Sequence, residues 1–402
     1  MEEEGLECYI QAMSIEKSER LLRGHIAKLV SLYRGSGSST PLTPKELQRA
    51  GSFLLKLQRG LTGGRALAGA GYMNEQPLLG SYLLYYWPVS YLQVSLALSS
   101  RPEFISELGR KNAVRILDLG CGPGPASCAL VDLLPKQTPV EVTLVDYSNK
   151  AMKLAGQMLD RKQVTTVKVC KDLSQGKVDD LLGPWDVVLV NHTLNELWKD
   201  DEDQIAKRAQ LVEQLGSRLA DRGVLFLSEP ALLLTSRNLM KLRDLLVRHG
   251  WHLLGPCLSD CPCPALCAGE GHTCHSEVAW KPGEPMASLA RIACLDRESV
   301  KMTYFFFRKE PLQAPQSSRQ GAVHALVVSE AMRNKSNRLR FLFCDGKARF
   351  SISTPCGDMH AKAEGFITLK RYDEVLLRAL ERRGENLGFG PDSQLEICSR
   401  VE

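Results

Sequence analysis

The spacing of apolar residues changes along the chain, from a helical period at the start to short apolar runs further on. Apolar side chains recur every three or four residues from Ser14 to Tyr33, which predicts a helix. Thr43 to Glu46 has the composition of a helix start closed by a capping box. Pro77 to Leu98 predicts an aromatic-rich helix that is broken or kinked at Pro88. We therefore predict an N-terminal helical region over residues 1–110.

From Val114 onward, short apolar runs alternate with helical stretches, as expected for a parallel sheet with crossover helices. The first five predicted strands lie at 114–119, 140–145, 165–169, 185–190 and 223–227. A helix from Leu233 to His249 leads to two further strands, at 251–254 and 300–307. This pattern predicts an α/β fold with a Rossmann-like, seven-stranded sheet over residues 111–310.

The chain beyond Pro311 predicts a small β-rich unit over residues 311–402, with a helix near Asp373 to Arg383. The predicted strands lie at 323–328, 338–344 and 348–352. Residues 301–402 hold 17 lysines and arginines against 12 aspartates and glutamates, which accounts for the whole net charge of +5. This excess favours a polyanionic partner such as nucleic acid.

Four basic residues of this unit are candidate phosphate contacts: Arg333, Lys335, Arg338 and Arg340. Contacts of this kind attract any nucleic acid and weaken with salt. The alternative interpretation is a solvated strand edge that its charges protect from pairing with other chains.

Composition excludes several classes of protein. The 402 residues are 44% hydrophobic and 24% charged, which is typical of a globular protein and excludes collagen-like or wholly disordered chains. The most apolar stretch, Leu83 to Leu98, is interrupted by Pro88 and Gln93 and is too short to cross a bilayer. Met1 to Glu4 has neither the basic start of a secretory signal nor the Arg-rich character of a transit peptide. We expect a bacterial-type cytoplasmic protein, or a mitochondrial one if it is a processed organellar homologue.

The first predicted strand runs into a glycine-rich loop, Asp118-Leu119-Gly120-Cys121-Gly122-Pro123-Gly124. Alternate glycines let the backbone turn sharply and approach a ligand closely. A dinucleotide fingerprint needs a glycine where this chain has Pro125, which disfavours a nicotinamide or flavin enzyme. The loop instead resembles motif I of class I S-adenosylmethionine-dependent methyltransferases. That resemblance makes Asp118, Gly120, Gly122 and Gly124 the loop beside the methionine moiety.

Further candidates for cofactor contacts stand at the ends of the next strands. Asp146 ends the second strand, and the methyltransferase resemblance implies that its carboxylate binds the ribose hydroxyls. Asp172 follows the third strand, where this fold usually contacts the adenine amino group, although it is also an ordinary helix cap. Asn191 ends the fourth strand, at the edge where open α/β sheets bind ligands.

The loop from Asn191 to Glu196 also contains two candidate catalytic bases, His192 and Glu196. Alternatively, His192 is a loop cap and Glu196 is a solvated helix residue. The loop lacks the Asn/Asp-Pro-Pro-aromatic sequence of exocyclic-amine methyltransferases. It also lacks the Pro-Cys pair that would attack a pyrimidine ring. The sequence therefore does not identify the acceptor.

Five cysteines fall within 18 residues of an insertion over residues 255–280: Cys257, Cys261, Cys263, Cys267 and Cys274. Even spacing of the 13 cysteines would place about 0.6 there. The sequence shows no secretory signal, so we do not expect a disulfide framework. Thiolates gathered in a Pro/Gly-rich loop instead indicate a soft metal. Zinc fits if His272, Cys274 or His275 completes the site, and an iron–sulfur cluster fits as well.

Six further segments have distinctive sequences: Ser228-Glu229-Pro230-Ala231, Gly255-Pro256-Cys257, Cys263-Pro264-Ala265-Leu266, Cys274-His275, Leu326 to Glu330 and Arg338 to Cys344. Together with the glycine-rich loop, they resemble one family, the methyltransferase-like proteins associated with the mitochondrial small ribosomal subunit. This family has bacterial members. The resemblance extends from about Tyr82 to Cys344. The cysteine pattern is its most specific part.

The resemblance implies a four-iron four-sulfur cluster held by Cys257, Cys263, Cys274 and Cys344. The chain departs from the family in having two additional thiols, Cys261 and Cys267, which are alternative ligands. Thr273 also stands where the family tends to have tryptophan.

The resemblance therefore predicts a protein that binds S-adenosylmethionine and an iron–sulfur cluster and acts on the small ribosomal subunit or its rRNA. The free chain is expected to be a monomer. Two other functions stay open: a non-catalytic assembly factor for the small subunit, and a small-molecule methyltransferase with structural zinc. The basic C-terminal end argues against the small-molecule methyltransferase.

Overall fold

A computed structural model of the chain describes residues 15–63, 65–67, 71–295, 297–311, 321–384 and 386–400. These residues form two compact units, one of residues 15–229 and 279–300 and the other of residues 230–278 and 301–400. This division differs from the predicted boundaries at 110 and 310. It groups the N-terminal helices with the first five strands, and the Cys-rich insertion with the C-terminal strands.

The first unit begins with the three predicted helices, α1 (Ile15–Arg34), α2 (Pro44–Gln58) and α3 (Gln76–Ser99). A fourth helix, α4 (Pro102–Gly109), follows and was not predicted. The capping box of α2 is confirmed, because Thr43 and Glu46 each accept the other's backbone N–H. Of the predicted break or kink at Pro88, the break is wrong, since α3 continues through this residue. Nearly every residue of α3 from Leu78 to Ser99 is buried, and this packing offsets the hydrogen bond that proline cannot make.

The predicted alternation of strands and helices follows, as β1 (Val114–Leu119), α5 (Pro125–Leu133), β2 (Val140–Asp146), α6 (Asn149–Met158), β3 (Val164–Cys170), β4 (Trp185–Asn191), α7 (Gln204–Gly216) and β5 (Leu219–Pro230). These five strands are parallel, in the order β3-β2-β1-β4-β5. This is the strand order of a doubly wound sheet, in which ligands bind at the carboxyl ends of the strands near the switch point between β1 and β4. Helix α10 (Met286–Ile292) completes the first unit.

The second unit contains the remaining α/β elements, α8 (Leu233–Arg248), β6 (His252–Gly255), α9 (Pro264–Cys267), β7 (Ser276–Ala279) and β8 (Ser299–Arg308). Strand β8 pairs antiparallel with β6 and also pairs with β7. The described α/β elements thus contain eight strands instead of the predicted seven. The additional strand is β7, a four-residue run directly after Cys274 and His275 that the aperiodic insertion conceals in the sequence.

Eight more described strands make the predicted C-terminal β-rich part: β9 (Val323–Val327), β10 (Met332–Arg333), β11 (Arg338–Cys344), β12 (Arg349–Pro355), β13 (Glu374–Arg378), β14 (Glu381–Arg383), β15 (Asn386–Gly388) and β16 (Gln394–Ser399). Their order is β14-β15-β12-β11-β9-β13-β16, with β10 beside β11. Helix α11 (Met359–Ala363) follows β12. Phe341, Phe343, Phe366 and Phe389 form the centre of a buried apolar core.

The predicted helix from Asp373 to Arg383 is wrong, because this segment forms β13 and β14. Strand β13 lies between β9 and β16 and buries Val375 and Leu377 in the phenylalanine core. Pairing on both sides outweighs the local helix propensity of the segment.

None of the helices in the described ranges has the length and apolar character that a bilayer crossing requires.

Candidate functional site

The glycine-rich loop between β1 and α5 has the geometry that its sequence predicts. Gly120, Gly122 and Gly124 have φ angles of 71°, 50° and 77°, a region that favours glycine. A Cβ atom on Gly120 would lie 2.3 Å from the side chain of Thr193, and one on Gly124 would lie 2.9 Å from Ala155. Larger residues would therefore move the loop away from the strand ends.

Two buried aspartates hold this loop. Asp118, on β1, accepts the Ser127 hydroxyl at 2.5 Å and the Ser127 N–H at 3.2 Å, which fixes the start of α5. Burial raises the pKa of Asp118 to about 6. Asp146, at the end of β2, accepts the N–H groups of Gly122 and Ser148, each at 2.8 Å. The Tyr147 backbone N–H also bonds to this carboxylate. A carboxylate has about four acceptor positions, so it can still accept a ligand hydroxyl.

Asp172 lies at the end of β3, as predicted, but its side chain is exposed and accepts the Ser174 N–H at 2.9 Å. It therefore caps the short helix Leu173–Gln175. Hydrogen bonds from the Ser174 side chain and from the Ser174 N–H lower the pKa of Asp172. Its contact with adenine stays a prediction.

The loop after β4 brings the predicted residues Asn191, His192 and Glu196 to the same end of the sheet. The amide oxygen of Asn191 accepts the Ser228 hydroxyl at 2.6 Å. Backbone strain is stored at His192, whose φ is 55°. The His192 Nε2 atom is buried without a hydrogen-bond partner among the described residues. Burial, with a smaller contribution from the Arg297 charge, lowers the pKa of His192 to about 4, so the ring is neutral at pH 7.

Glu196 does not project freely into solvent, since the Tyr72 hydroxyl donates to its Oε1 at 3.3 Å. Tyr72 belongs to a short helix, Tyr72–Asn74, that precedes α3. In the same helix, the Met73 Cε atom would lie 3.6 Å from a Cβ on Gly122. The Ser148 hydroxyl is within hydrogen-bond distance of the Met73 carbonyl and the Asn74 side chain. The N-terminal region therefore lies against the glycine-rich loop, which no motif in the sequence predicts.

Glu229 is a functional candidate that the sequence signalled only as part of a Ser-Glu-Pro turn. It is 2% exposed, and its two carboxylate oxygens accept the backbone N–H of Asn195 at 2.9 Å and the side-chain amide of Asn195 at 2.6 Å. Burial raises the pKa of Glu229 from 4.5 to about 7, although the bonds from Asn195 and the charge of Arg208 oppose this. The carboxylate fixes the loop that carries His192 and Glu196.

The four cysteines of the predicted cluster lie close together in the second unit. Burial raises the pKa of the Cys257 thiol, and the neighbouring thiols of Cys274, Cys263 and Cys344 raise it further. The Cys274 Sγ atom lies 3.4 Å from the Tyr372 hydroxyl. In the described residues, no three His, Cys, Asp or Glu side chains are arranged to hold a metal ion as they stand.

A buried ion pair lies beside these thiols. Arg243, on α8, has only 1% of its side chain exposed, and it donates to the Asp244 carboxylate at 2.6 Å and to the carbonyls of Ser259 and Cys261. Its charge acts on Cys257 and Cys263. Three buried donors have no hydrogen-bond partner among the described residues: one nitrogen of Arg243, one nitrogen of Arg349 and the Thr273 hydroxyl. Such donors stabilise the sulfurs of a thiolate-bound metal centre.

Two connections hold the cysteine segments in place. Asp244 accepts the Cys263 N–H at 3.1 Å, and Ser259 donates to the Gly346 carbonyl at 2.9 Å, beside Cys344. Of the alternative ligands, Cys261 is half-buried and Cys267 is exposed.

The predicted phosphate contacts lie on the β10–β11 hairpin. Lys335 and Arg340 are exposed. Arg333 and Arg338 have internal partners, since Arg333 donates to Asn337 at 2.8 Å and Arg338 donates to Ser353 at 3.1 Å. Only part of this basic set is therefore available to a phosphate without rearrangement.

Strand order, loop geometry and the buried Asp146 are those of the class I S-adenosylmethionine-dependent methyltransferase fold. Residues 80–361, 282 of 402, match the family described as "Mitochondrial small ribosomal subunit Rsm22". The chain belongs to this family and is a methyltransferase-like protein.

Individual relatives are more distant. Over 116 residues, 29% of the chain, it is 32% identical to a malonyl-[acyl-carrier protein] O-methyltransferase of Bacillus cytotoxicus, and this match spans 35% of that enzyme. A putative class I S-adenosylmethionine-dependent methyltransferase from Listeria monocytogenes is 13% identical, with a TM-score of 0.37, over 76% of this chain and 92% of that one. The plantazolicin methyltransferase BpumL is also 13% identical, with a TM-score of 0.34, over 66% and 97%. Likeness at this level supports no statement about substrate.

The raised pKa of Glu229 predicts how stability depends on pH. The unfolded chain loses this proton near pH 4.5 and the folded chain near pH 7, so unfolding releases a proton between these values. The Glu229 contribution to stability should therefore decrease as pH rises from 5 to 7.5, by roughly 3 kcal/mol at most. Urea unfolding of the wild type and Glu229→Gln at several pH values measures it. Glu229→Gln should remove the part of the pH dependence of the free energy of unfolding that Glu229 contributes.

The exposed carboxylate of Glu141 provides the matched control. Glu141→Gln should keep the wild-type pH dependence. Parallel pH profiles for the wild type and Glu229→Gln would contradict the assignment.

Proposed function

We propose that this protein binds S-adenosylmethionine at the end of β1 and β2 and acts on the small ribosomal subunit or its rRNA. The observation that carries the proposal is the loop of left-handed glycines held by the buried Asp146. The cofactor would supply an electrophilic methyl group. Asp146 would bind its ribose, Gly120 to Gly124 would border its methionine part, and Asn191 and Asp172 would lie at the methyl and adenine ends.

The proposed reaction is methyl transfer to an acceptor placed by the loop from Asn191 to Glu196. Displacement at the sulfonium needs chiefly alignment of the acceptor with the methyl group. A neutral His192 can accept a proton, and the bond from Tyr72 orients Glu196. These residues are therefore the candidate bases.

A non-catalytic assembly factor is the second candidate function. It is favoured by the low basicity of His192 and by the engagement of Glu196 and Asn195 in internal hydrogen bonds. Replacing His192 and Glu196 distinguishes the two functions. If the protein is a non-catalytic assembly factor, subunit binding and RNA methylation should both be unchanged.

Membership of a small-ribosomal-subunit family supports the proposed partner. The exposed Lys335 and Arg340 would contact rRNA phosphates, with Arg333 and Arg338 joining them if they exchange their internal partners. The compartment would be that of the ribosome, mitochondrial or bacterial cytoplasmic, and the free chain would be a monomer.

A four-iron four-sulfur cluster is proposed on Cys257, Cys263, Cys274 and Cys344. The electrostatic influence of these thiols on one another supports this ligand set, as does the buried Arg243, which is paired with Asp244 and also acts on Cys257 and Cys263. Zinc on the same thiols is the alternative, with Cys261 and Cys267 as alternative ligands.

The role of Asp146 predicts the effect of an isosteric substitution. Asp146→Asn places an NH₂ donor where the carboxylate accepts the N–H of Gly122 or Ser148, so S-adenosylhomocysteine should bind about ten-fold or more weakly. Isothermal titration calorimetry measures the affinity. The exposed Asp160 gives a control, since Asp160→Asn should bind like the wild type. Equal affinities for wild type and Asp146→Asn would refute the assignment.

The cluster predicts iron in protein purified without oxygen. About four irons with sulfide and broad absorption near 400 nm are expected. Replacing any of the four proposed ligands by serine should lower the iron content. Cys267→Ser and Cys294→Ser, both at exposed cysteines, should retain it. Colourless protein with one zinc would contradict the cluster and support the alternative.

The basic hairpin predicts a salt-dependent contribution to RNA binding. Lys335→Ala/Arg340→Ala should reduce the slope of log affinity against log salt by about 0.7 to 0.9 for each phosphate that the variant no longer neutralises. Small-subunit rRNA fragments and a filter-binding titration at several salt concentrations provide the measurement. Lys347→Ala/Arg382→Ala removes the same charge from other exposed positions of the unit. An identical decrease for both double variants would argue against a specific contact at the hairpin.

A further inference from the structure

The backbone N–H groups of the glycine-rich loop donate to strand β2 or to the loop itself. Gly120 and Cys121 donate to the Val145 carbonyl at 2.8 and 3.0 Å, and Gly122 donates to the carboxylate at the end of the same strand. Gly124 donates to the Cys121 carbonyl at 2.8 Å, which closes a tight turn. Each of these bonds fixes the orientation of one peptide group.

The carbonyl of Pro123 has its partner outside these elements, on helix α3. Trp87 is completely buried, and its indole N–H donates to the Pro123 carbonyl at 2.9 Å. In a trans peptide, the carbonyl and the N–H that follows it point in opposite directions. The peptide between Pro123 and Gly124 is therefore held from both sides, by Trp87 through its carbonyl and by Cys121 through its N–H.

Other side chains hold the Trp87 ring in place. Tyr91, one turn further along α3, stacks on it with ring centroids 5.4 Å apart, and His25 of α1 packs edge-on against it at 5.4 Å. The Tyr91 hydroxyl donates to Asp132 at 2.5 Å, and Arg161 donates to the same carboxylate at 2.5 Å. Asp132 lies on α5, the helix that begins directly after the loop. One face of α3 therefore holds both the loop and the helix that follows it.

We propose that Trp87 is a positioning residue for the cofactor: its indole N–H keeps the Pro123–Gly124 peptide in the orientation in which the loop binds S-adenosylmethionine. This inference rests on the proposed binding of S-adenosylmethionine at this loop. Removing the N–H leaves a buried carbonyl without this donor, and the peptide can then rotate until its oxygen reaches another donor or water. A rotated peptide changes the surface that the loop presents to the methionine part of the cofactor.

Two substitutions of Trp87 separate its hydrogen bond from its packing. Trp87→Phe keeps an aromatic ring against Tyr91, Trp87→Leu does not, and both lack the N–H donor. Both variants should bind S-adenosylhomocysteine about five-fold or more weakly than the wild type, as expected when a buried carbonyl loses its donor. Trp87→Leu should in addition unfold at a lower urea concentration than Trp87→Phe. Isothermal titration calorimetry and urea unfolding of the full chain provide the two measurements.

Trp185 provides the matched control. It is 8% exposed and begins β4, at the opposite end of that strand from Asn191. Its indole nitrogen has no hydrogen-bond partner among the described residues. Trp185→Phe should therefore lower stability through lost packing and still bind S-adenosylhomocysteine like the wild type.

Nuclear magnetic resonance of the indole N–H groups supplies a readout that a merely structural role would not move. The Trp87 signal, assigned by its absence from Trp87→Phe, should shift when S-adenosylhomocysteine binds, because its acceptor lies in the loop. The Trp185 signal, assigned in the same way, should stay in place.

Wild-type affinity in Trp87→Phe, or a Trp87 indole signal that S-adenosylhomocysteine leaves unchanged, would overturn the inference. A loss of affinity in Trp185→Phe as large as that in Trp87→Phe would also overturn it, because affinity would then follow stability in general. A wild-type chain that binds no S-adenosylhomocysteine would instead overturn the proposed function, and with it the inference that rests on that function.

Discussion

The proposed cofactor site depends on the hydrogen bonds that the Asp146 carboxylate accepts from Gly122 and Ser148. They connect the loop after β1 to the start of α6, across the two adjacent strands β1 and β2. A buried carboxylate is costly unless its oxygens are satisfied, and these N–H groups satisfy it while leaving lone pairs for a ligand. The left-handed glycines, the packing of Met73 and the position of Ser148 all follow from this arrangement.

The two units apply the same physical rule to different chemistry. In the first unit, the charge of Glu229 is buried but accepts both N–H donors of Asn195. In the second unit, the charge of Arg243 is buried and paired with Asp244, and it also lies beside carbonyl groups and acts on the thiols of Cys257 and Cys263. Each of these buried, paired charges is a candidate functional position.

The sequence predicts the parts of the structure that local patterns control. The five parallel strands, the capping box of α2 and the turn through Gly120 and Gly124 are evident from spacing and residue type. Partners distant in sequence are not evident: nothing around Tyr72 indicates that its hydroxyl reaches Glu196. A buried Arg243 likewise cannot be told by pattern from a solvated arginine on a helix. Strand β13 escapes prediction for the same reason, because its partners β9 and β16 decide its conformation.

The structure of the chain bound to S-adenosylhomocysteine tests the central claim most directly. The account predicts the ribose hydroxyls within hydrogen-bond distance of the Asp146 carboxylate, the homocysteine part along Gly120 to Gly124, and Met73 adjacent to the ligand. A ligand bound elsewhere, or a complex in which Asp146 contacts only Gly122 and Ser148, would contradict it.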